Sequence, residues 1–474
     1  MSIQNIDRCG SINKARMTYT EFLDNSPMTK FLWLLVGGMS LAQLLDGLDF
    51  QATAFALPGI IREFRLNPAQ AGGIASMGNI GLAIGSIAFP LLCDRIGRKL
   101  IFQWVILTYA AGTLISAMAS SVNVLLCGRF IAGLGLGAQL PIVFAILAEY
   151  SPLKWRHILV PLAPIFWALG WIAAALLSIL LIPHFGWRAI YWVGVLPALL
   201  TVYVRYGMPE SVRFLLARGK VQEAGAIVHD MAKKAGMGEV ELVPPPTVKN
   251  QVKVTFKQQF ATLGMVWGLM LMLSFFYFCS FIQTFGVTAW LPTIFVRQGF
   301  RLTTSFWYTL MIMAVTPFSH IIAMWLQNVL NRKWALFLMT TGGTIFFILF
   351  GLSFQYKWPV PVLVGSQILQ TLSAQGVIAI LFTLTSELFP NSVRTLGIGI
   401  VSGVGRFGAI LGPLLMGIAL KSGMKISQVI YVFAIPLFVA AVMTLFVIKV
   451  DTRERSLESI GEDGNKAMAV QGGN

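Results

Sequence analysis

Charge is what this sequence lacks. Asp, Glu, Lys and Arg together make up 11% of its 474 residues, against 56% hydrophobic; a soluble domain carries roughly 25% charged residues. So few polar groups cannot clothe a water-facing surface of this length. That excludes a string of soluble domains and calls for lipid as the covering phase. Cysteine is scarce too: Cys9, Cys93, Cys127 and Cys279 stand far apart with no CxxC or Cys/His spacing, which argues against a disulfide framework or a metal centre. Acidic residues number 19 against 35 Lys and Arg, for a net charge of +16. In a soluble chain that excess would suggest nucleic acid, but no basic patch is interleaved with aromatics in the way such binding requires. The loops of membrane proteins collect Lys and Arg for a simpler reason. The short apolar core of a cleaved signal peptide is also missing, so the first apolar helix is expected to act as its own insertion signal.

Long apolar runs, by contrast, are plentiful. A membrane helix needs about 20 apolar residues, and twelve stretches qualify: near 31–61, 71–92, 100–121, 123–149, 159–183 and 188–207, then 263–293, 305–327, 334–355, 360–387, 394–420 and 427–449. The polar segment between the sixth and seventh begins "PESVRFLLARGKVQEAGAIVHDMAKKAG", which has helical periodicity, and continues "VPPPTVKNQ", which reads as an extended linker. The expected organisation is an N-terminal segment 1–30, a six-helix bundle 31–207, a central loop 208–260, a second six-helix bundle 261–450 and a tail 451–474. This is an all-α membrane protein. With both ends on one side, that side holds the large majority of the Lys and Arg. The bias puts both termini and the central loop in the cytoplasm, with the chain multi-pass in a bacterial inner or plasma membrane.

The halves echo each other. "EYSPLKWR" (149–156) follows the fourth candidate helix and "ELFPNSVR" (387–394) the tenth; both read E-x-x-P-x-x-x-R. "DRIGRK" (94–99) after the second helix is matched by a fainter "NVLNRK" (328–333) after the eighth. Transporters are commonly built from such internal repeats.

Two carboxylates interrupt the first apolar run, in "SLAQLLDGLDFQATAF" (40–55). Each charge at the centre of a membrane helix carries an insertion cost of ~2.5–3.5 kcal/mol. Asp46 and Asp49 are three residues apart and share a helix face, which Gln43 and Thr53 extend. That stripe is expected to face a water-filled cavity. One reading is a proton-binding pair, since neighbouring desolvated carboxylates hold a proton more readily; the other is that one aspartate caps a break near Gly47 or pairs permanently with an arginine. Arg129 in "CGRFIAGLGLG" and Arg406 in "GVGRFGAIL" place one guanidinium in each half. Each presents a planar fork suited to a carboxylate, either the substrate's or a structural partner's. His320 is either a proton relay or a histidine satisfied by a neighbouring hydroxyl. Trp167, Trp171 and the run Phe275–Phe278 serve either ring stacking or packing. "GLGLGA" and "GIGIVSGVG" follow no strand, so they are not phosphate loops; small residues let membrane helices approach closely.

These motifs resemble those of the major facilitator superfamily. "DRIGRK" looks like its loop between helices two and three, with Pro90 where a glycine is usual. "PESVRFLLARGKVQEA" (209–224) and "DTRERSLE" (451–458) resemble segments of sugar porters and their organic-acid relatives. "LDGLDF" (45–50) is similar to the first-helix motif of aromatic acid:proton symporters, a metabolite:proton symporter branch. "VTAWLPTIF" (287–295) is like their seventh helix, and of the sugar porters' glutamine-rich signature only Gln283 remains. The resemblance implies the major facilitator fold. In that branch arginines in these two helices matter for transport, and Arg129 and Arg406 match them. It also implies a cytoplasmic latch. In the first half this draws on Asp94, Arg95, Gly97, Arg98, Glu149 and Arg156; in the second, on Arg332, Glu387 and Arg394, weakened because Asn328 stands for the aspartate. Glu149 is expected in this latch rather than beside Arg129, because twenty residues span about 30 Å of helix.

The expected function is import of a small organic anion, with aromatic carboxylates foremost, by proton symport. Asp46 and Asp49 couple protons; Arg129, Arg406 and Gln43 bind substrate. The expected partners are the substrate, protons and the bilayer, with no nucleic acid, no cofactor, no metal and a monomer as the working unit. No nucleotide loop, ligand cluster or triad suggests an enzyme. The rival readings are a sugar or polyol carrier, a membrane sensor that does not transport, and a drug exporter; the last is disfavoured because "PIFWALGWIAAALL" lacks an antiporter glycine–proline motif.

Overall fold

A computed structural model describes residues 16–236, 241–244, 267–389 and 394–447. Among them, 12 helices are long and apolar enough to cross a membrane. The first six spans are Lys30–Phe64, Pro68–Ile96, Arg98–Ala117, Val122–Tyr150, Leu162–Phe185 and a sixth made of Arg188–Val193, Leu196–Leu199 and Leu200–Gly207. The seventh to twelfth are Trp267–Thr288, Leu302–Met313 with Thr316–Val329, Arg332–Gln355, Val360–Leu388, Arg394–Lys421 and Ile426–Val447. The sequence pattern located all twelve. It missed the breaks in the sixth and eighth, which fall beside Pro197 and Pro317, where a proline supplies no backbone N–H to continue the helix.

Short polar caps set the helix starts. Thr29 accepts from the Leu32 N–H, and Asn67 and Gln70 form a reciprocal capping box before the second span. In the first half the first span packs on the fifth, and the fourth on the second and third; in the second half the seventh packs on the eleventh and the ninth on the tenth and twelfth. At the crossing of the first and fifth spans Gly47 faces the Trp167 carbonyl and Gly170 the Leu44 carbonyl, where a Cβ would collide with backbone. Outward faces carry large apolar side chains, among them Trp33, Trp104, Trp192, Trp307 and Trp325, which lipid must cover.

The N-terminal segment folds onto the first half. Strand β1 (Arg16–Thr18) pairs in parallel with β2 (Glu241–Val243). The helix Tyr19–Asn25 buries Tyr19, Phe22 and Leu23 against Val212, Leu215 and Val228 of the central segment. The helical periodicity of that segment appears as Val212–Ala217 and Val221–Lys234. Pro245 and Pro246 of the expected linker, and the tail, lie outside the described residues.

These additions mark one end of the molecule, here called the proximal face. At the opposite, distal face the halves are joined. Ser76 Oγ donates to the Ile410 carbonyl at 2.6 Å and Asn79 Nδ2 to the Ala409 carbonyl at 2.9 Å. Two apolar clusters bridge the halves there, one joining Leu57 and Ala71 to Trp290 and Met416, the other joining Phe55 and Trp187 to Phe306. The two proximal clusters each draw on one half only. Among the described residues, apolar clusters join the halves at the distal face and none joins them at the proximal face.

Candidate functional site

Asp49 is fully buried and both its oxygens are engaged. Oδ2 accepts from Arg129 Nη2 at 2.9 Å and Oδ1 accepts from Thr113 Oγ1 at 2.9 Å. The pair is nearly dry, with side-chain exposures of 3% for Arg129 and 0% for Asp49. Four spans meet here, the first, third, fourth and sixth, and a small residue lets them: Gly194 of the sixth lies so close that a Cβ would sit 2.7 Å from Asp49 Oδ1. Arg129 also stacks its guanidinium 5.1 Å from the centre of the Tyr191 ring, whose hydroxyl meets Thr53 Oγ1 at 3.3 Å. Of the two readings of the aspartates, the ion pair is therefore real for Asp49. Its neighbour differs. Asp46 is 3% exposed and makes no side-chain hydrogen bond or ion pair among the described residues.

The other face of Arg129 borders a cavity of about 40 Å³ between the halves, also lined by Phe50, Thr53, Asn79, Phe285 and Thr288. Arg129 Nη1 is buried with no hydrogen-bond partner among the described residues. A cavity this size admits water but not an aromatic ring; the halves must part further to load one. Phe50 stacks on Trp171 at 6.2 Å and meets Trp167 and Phe285, each at 5.6 Å. The tryptophans thus back the cavity wall. Phe276 and Tyr277, by contrast, are core residues of the second half.

The expected polar stripe divides. Thr53 lines the cavity, whereas Gln43, expected at the substrate, is fully buried inside the first half and is not among the cavity-lining residues. The physical reason is the length of the first span: its distal part faces the other half, while the turns around Gln43 pack against the fourth span, where Gln139 bonds the Ala42 carbonyl, and the fifth, where Gly170 meets the Leu44 carbonyl. Arg406 is half-buried, with no ion pair or hydrogen bond among the described residues. His320 Nδ1 lies 3.0 Å from the Thr316 carbonyl, so a backbone group one turn back satisfies it, not a hydroxyl.

At the proximal face, Arg98 Nε donates to Glu149 at 3.2 Å. Arg156 does not join them: it bonds Asp24 at 2.8 Å, as does Arg213 at 2.7 Å. The N-terminal helix brings Asp24 within reach, which nothing local in the sequence signals. Gly97 adopts φ +124°, and any Cβ there would strike the Glu210 carboxylate, which accepts from the backbone N–H of Arg98 at 2.8 Å and of Lys99. Glu210 thus caps the third span's N-terminus, favourable for an anion. The side chain of Arg95 is exposed and its carbonyl accepts from Arg218. Arg332 donates to the Gln327 carbonyl at 2.7 Å. The side chains of Asp94, Glu387 and Arg394 lie outside the described ones. Among the described residues no group of three or more His, Cys, Asp or Glu is placed to hold a metal.

Two helical bundles, joined at one face and enclosing a buried ion pair beside a cavity at their seam, define a polytopic membrane transporter built of two halves. The chain belongs to the major facilitator superfamily: it matches the sugar (and other) transporter family over residues 28–463. It is 33% identical over 440 residues to the niacin transporter NiaP of Acinetobacter baylyi, covering 93% of this chain and 98% of that one. It is 28% identical over 433 residues to the 4-hydroxybenzoate transporter PcaK of Pseudomonas aeruginosa, covering 91% and 95%. Among solved structures, the inward-open xylose transporter XylE from Escherichia coli superposes with a TM-score of 0.72 at 17% identity, covering 91% of this chain and 99% of that one. The chain is a transporter, not an enzyme, on the aromatic-acid branch of the superfamily.

Proposed function

We propose that this protein imports a small aromatic carboxylate together with a proton, by alternating access, as a monomer with its proximal face in the cytoplasm. The observation that carries the reading is Arg129: one guanidinium nitrogen is held by Asp49, another is buried without a hydrogen-bond partner among the described residues, and the residue lines a cavity walled by Phe50 and Phe285. The relatives' names supply the substrate class, and the aromatic wall suits it.

Coupling follows from charge. The Asp49–Arg129 pair is neutral overall. Adding only a substrate carboxylate leaves a buried negative charge, and adding only a proton leaves a buried positive one. Either is unfavourable in a dry interior. Adding both restores neutrality: the proton silences Asp49, and the freed fork of Arg129 takes the substrate carboxylate in two parallel charge-assisted bonds. Arg406 offers a second cation from the opposite half. Only the empty deprotonated carrier and the doubly loaded one then cross readily between states.

Purified protein in proteoliposomes tests this. Radiolabelled nicotinate or 4-hydroxybenzoate is expected to accumulate when the outside is made acid, and the accumulation to collapse with a protonophore. Uptake of xylose in their place, or accumulation indifferent to the pH gradient, would overturn the reading.

A further inference from the structure

The first half holds polar groups that neither the ion pair nor the cavity uses. Gln103 Nε2, Tyr109 Oη, Gln139 Oε1 and both amide atoms of Gln43 are buried without a hydrogen-bond partner. Buried polar atoms are nearly always satisfied, by ordered water where protein does not serve. Unpartnered groups gathered on three adjacent spans therefore mark a wet seam inside an apolar bundle. Their order along the membrane is fixed. Gln139 Nε2 donates to the Ala42 carbonyl at 2.7 Å, which holds it beside Gln43. Tyr109 is pressed against Gly135, one helical turn from Gln139. Thr113, one turn further, bonds Asp49; both spans run the same way, so Tyr109 stands on the third at about the level of Asp46 on the first. Gln103 lies about 9 Å below Tyr109 along the third span, towards the proximal face, and is 5% exposed. Asp46 stands between Gln43 and Asp49, with its carboxylate unbonded.

We propose that Tyr109, with water held by Gln103, Gln43 and Gln139, conducts the coupled proton between the aspartates and the proximal aqueous phase, by a route inside the first half that is separate from the substrate cavity. Asp49 passes its proton to Asp46 as Asp46 releases its own to water. That water protonates the Tyr109 oxygen while the original phenolic proton leaves to water on the proximal side, so Asp46 and Tyr109 end as they began and one proton has moved. The amides transfer nothing; they orient water. The titratable groups facing this column are Asp46 and Asp49 from the first span, Tyr109 from the third, Arg129 from the fourth and Tyr191 from the sixth; the fifth contributes none. Separate routes let substrate leave by the cavity without meeting its proton again.

The inference rests on the symport reading, so the test separates the two. Proteoliposomes holding a pH dye report proton entry with substrate, and counterflow of labelled nicotinate with no gradient reports substrate exchange, which needs no proton release. In Tyr109→Phe, and independently in Gln103→Leu, proton entry and acid-driven accumulation are expected to fall by about tenfold or more, while counterflow stays within about twofold of wild type. Wild-type vesicles that move substrate without protons would overturn the symport reading and the relay with it. Wild-type proton entry in both variants would overturn the relay alone. So would parallel loss of counterflow in both, which would make these residues merely structural.

Discussion

The two halves each carry one arginine in the membrane, and they use it differently. Arg129 is bonded to Asp49 and stacked on Tyr191; Arg406, on the eleventh span of the second half, makes no ion pair or hydrogen bond among the described residues. The two arginines stand on spans that are not equivalent in the repeat, the fourth and the eleventh, and only the first has a counter-charge among the described residues. The contrast teaches that an intramembrane arginine need not be neutralised by its own bundle. In the first half the charge is balanced internally. In the second no partner among the described residues balances it, and the proposed anionic cargo would do so.

The largest expected effect breaks the balanced side. Asp49→Asn leaves Arg129 buried and unpaired, and losing one partner of a buried pair costs about 3–5 kcal/mol of stability. Thermal unfolding of the detergent-purified protein should show that loss, and transport should vanish. Adding Arg129→Gln to the same chain should return most of the stability but none of the transport. Recovery of transport in the double variant would mean the pair is structural only.

The next largest sharpens the other side. Arg406→Gln removes a charge with no partner among the described residues, so unfolding should stay within about 1 kcal/mol of wild type. Its effect should fall on binding: a hydrogen bond to a charged group is worth about 1.5–3 kcal/mol, roughly a 10- to 100-fold rise in Kd for the aromatic carboxylate by calorimetry. Destabilisation as large as that of Asp49→Asn would erase the contrast between the halves.

Much of this architecture could be read from the chain because membranes impose one-dimensional rules. Twelve apolar runs, the polar break after the sixth and the doubled E-x-x-P-x-x-x-R follow from the requirement that every spanning backbone be helical. The charges at Asp46, Asp49, Arg129 and Arg406 announced themselves because charge is rare in such runs. What stayed hidden was pairing across distance. Thr113 and Tyr191 surround the ion pair from separate spans with no local mark, Phe285 completes the cavity wall from the other half, and Glu210 caps a helix from the central segment. That Gln43 does not line the cavity was hidden for a related reason: helix periodicity shows which residues share a face, not where along a long span that face changes neighbour. The Asp24 contacts escaped because the first thirty residues looked merely polar.

Asp24 supplies the smallest expected effect and a check on the whole comparison. It bonds Arg156 at 2.8 Å and Arg213 at 2.7 Å, but all three side chains are between 26% and 36% exposed. Exposed pairs contribute about 0–1 kcal/mol each, and salt at 0.1 M already screens them beyond about 10 Å. Asp24→Asn should therefore loosen the N-terminal helix by about 1 kcal/mol at low salt, seen as faster tryptic cleavage near Arg16, and the difference from wild type should fade at 1 M salt. The deficit of Asp49→Asn should not fade, because ions cannot enter the dry pocket that creates it. Salt thus separates charges that merely fasten the proximal face from those that set the energetics of the membrane interior. If both deficits faded together, the Asp49–Arg129 pocket would be open to ions, and the neutrality argument that couples proton to substrate would lose its basis.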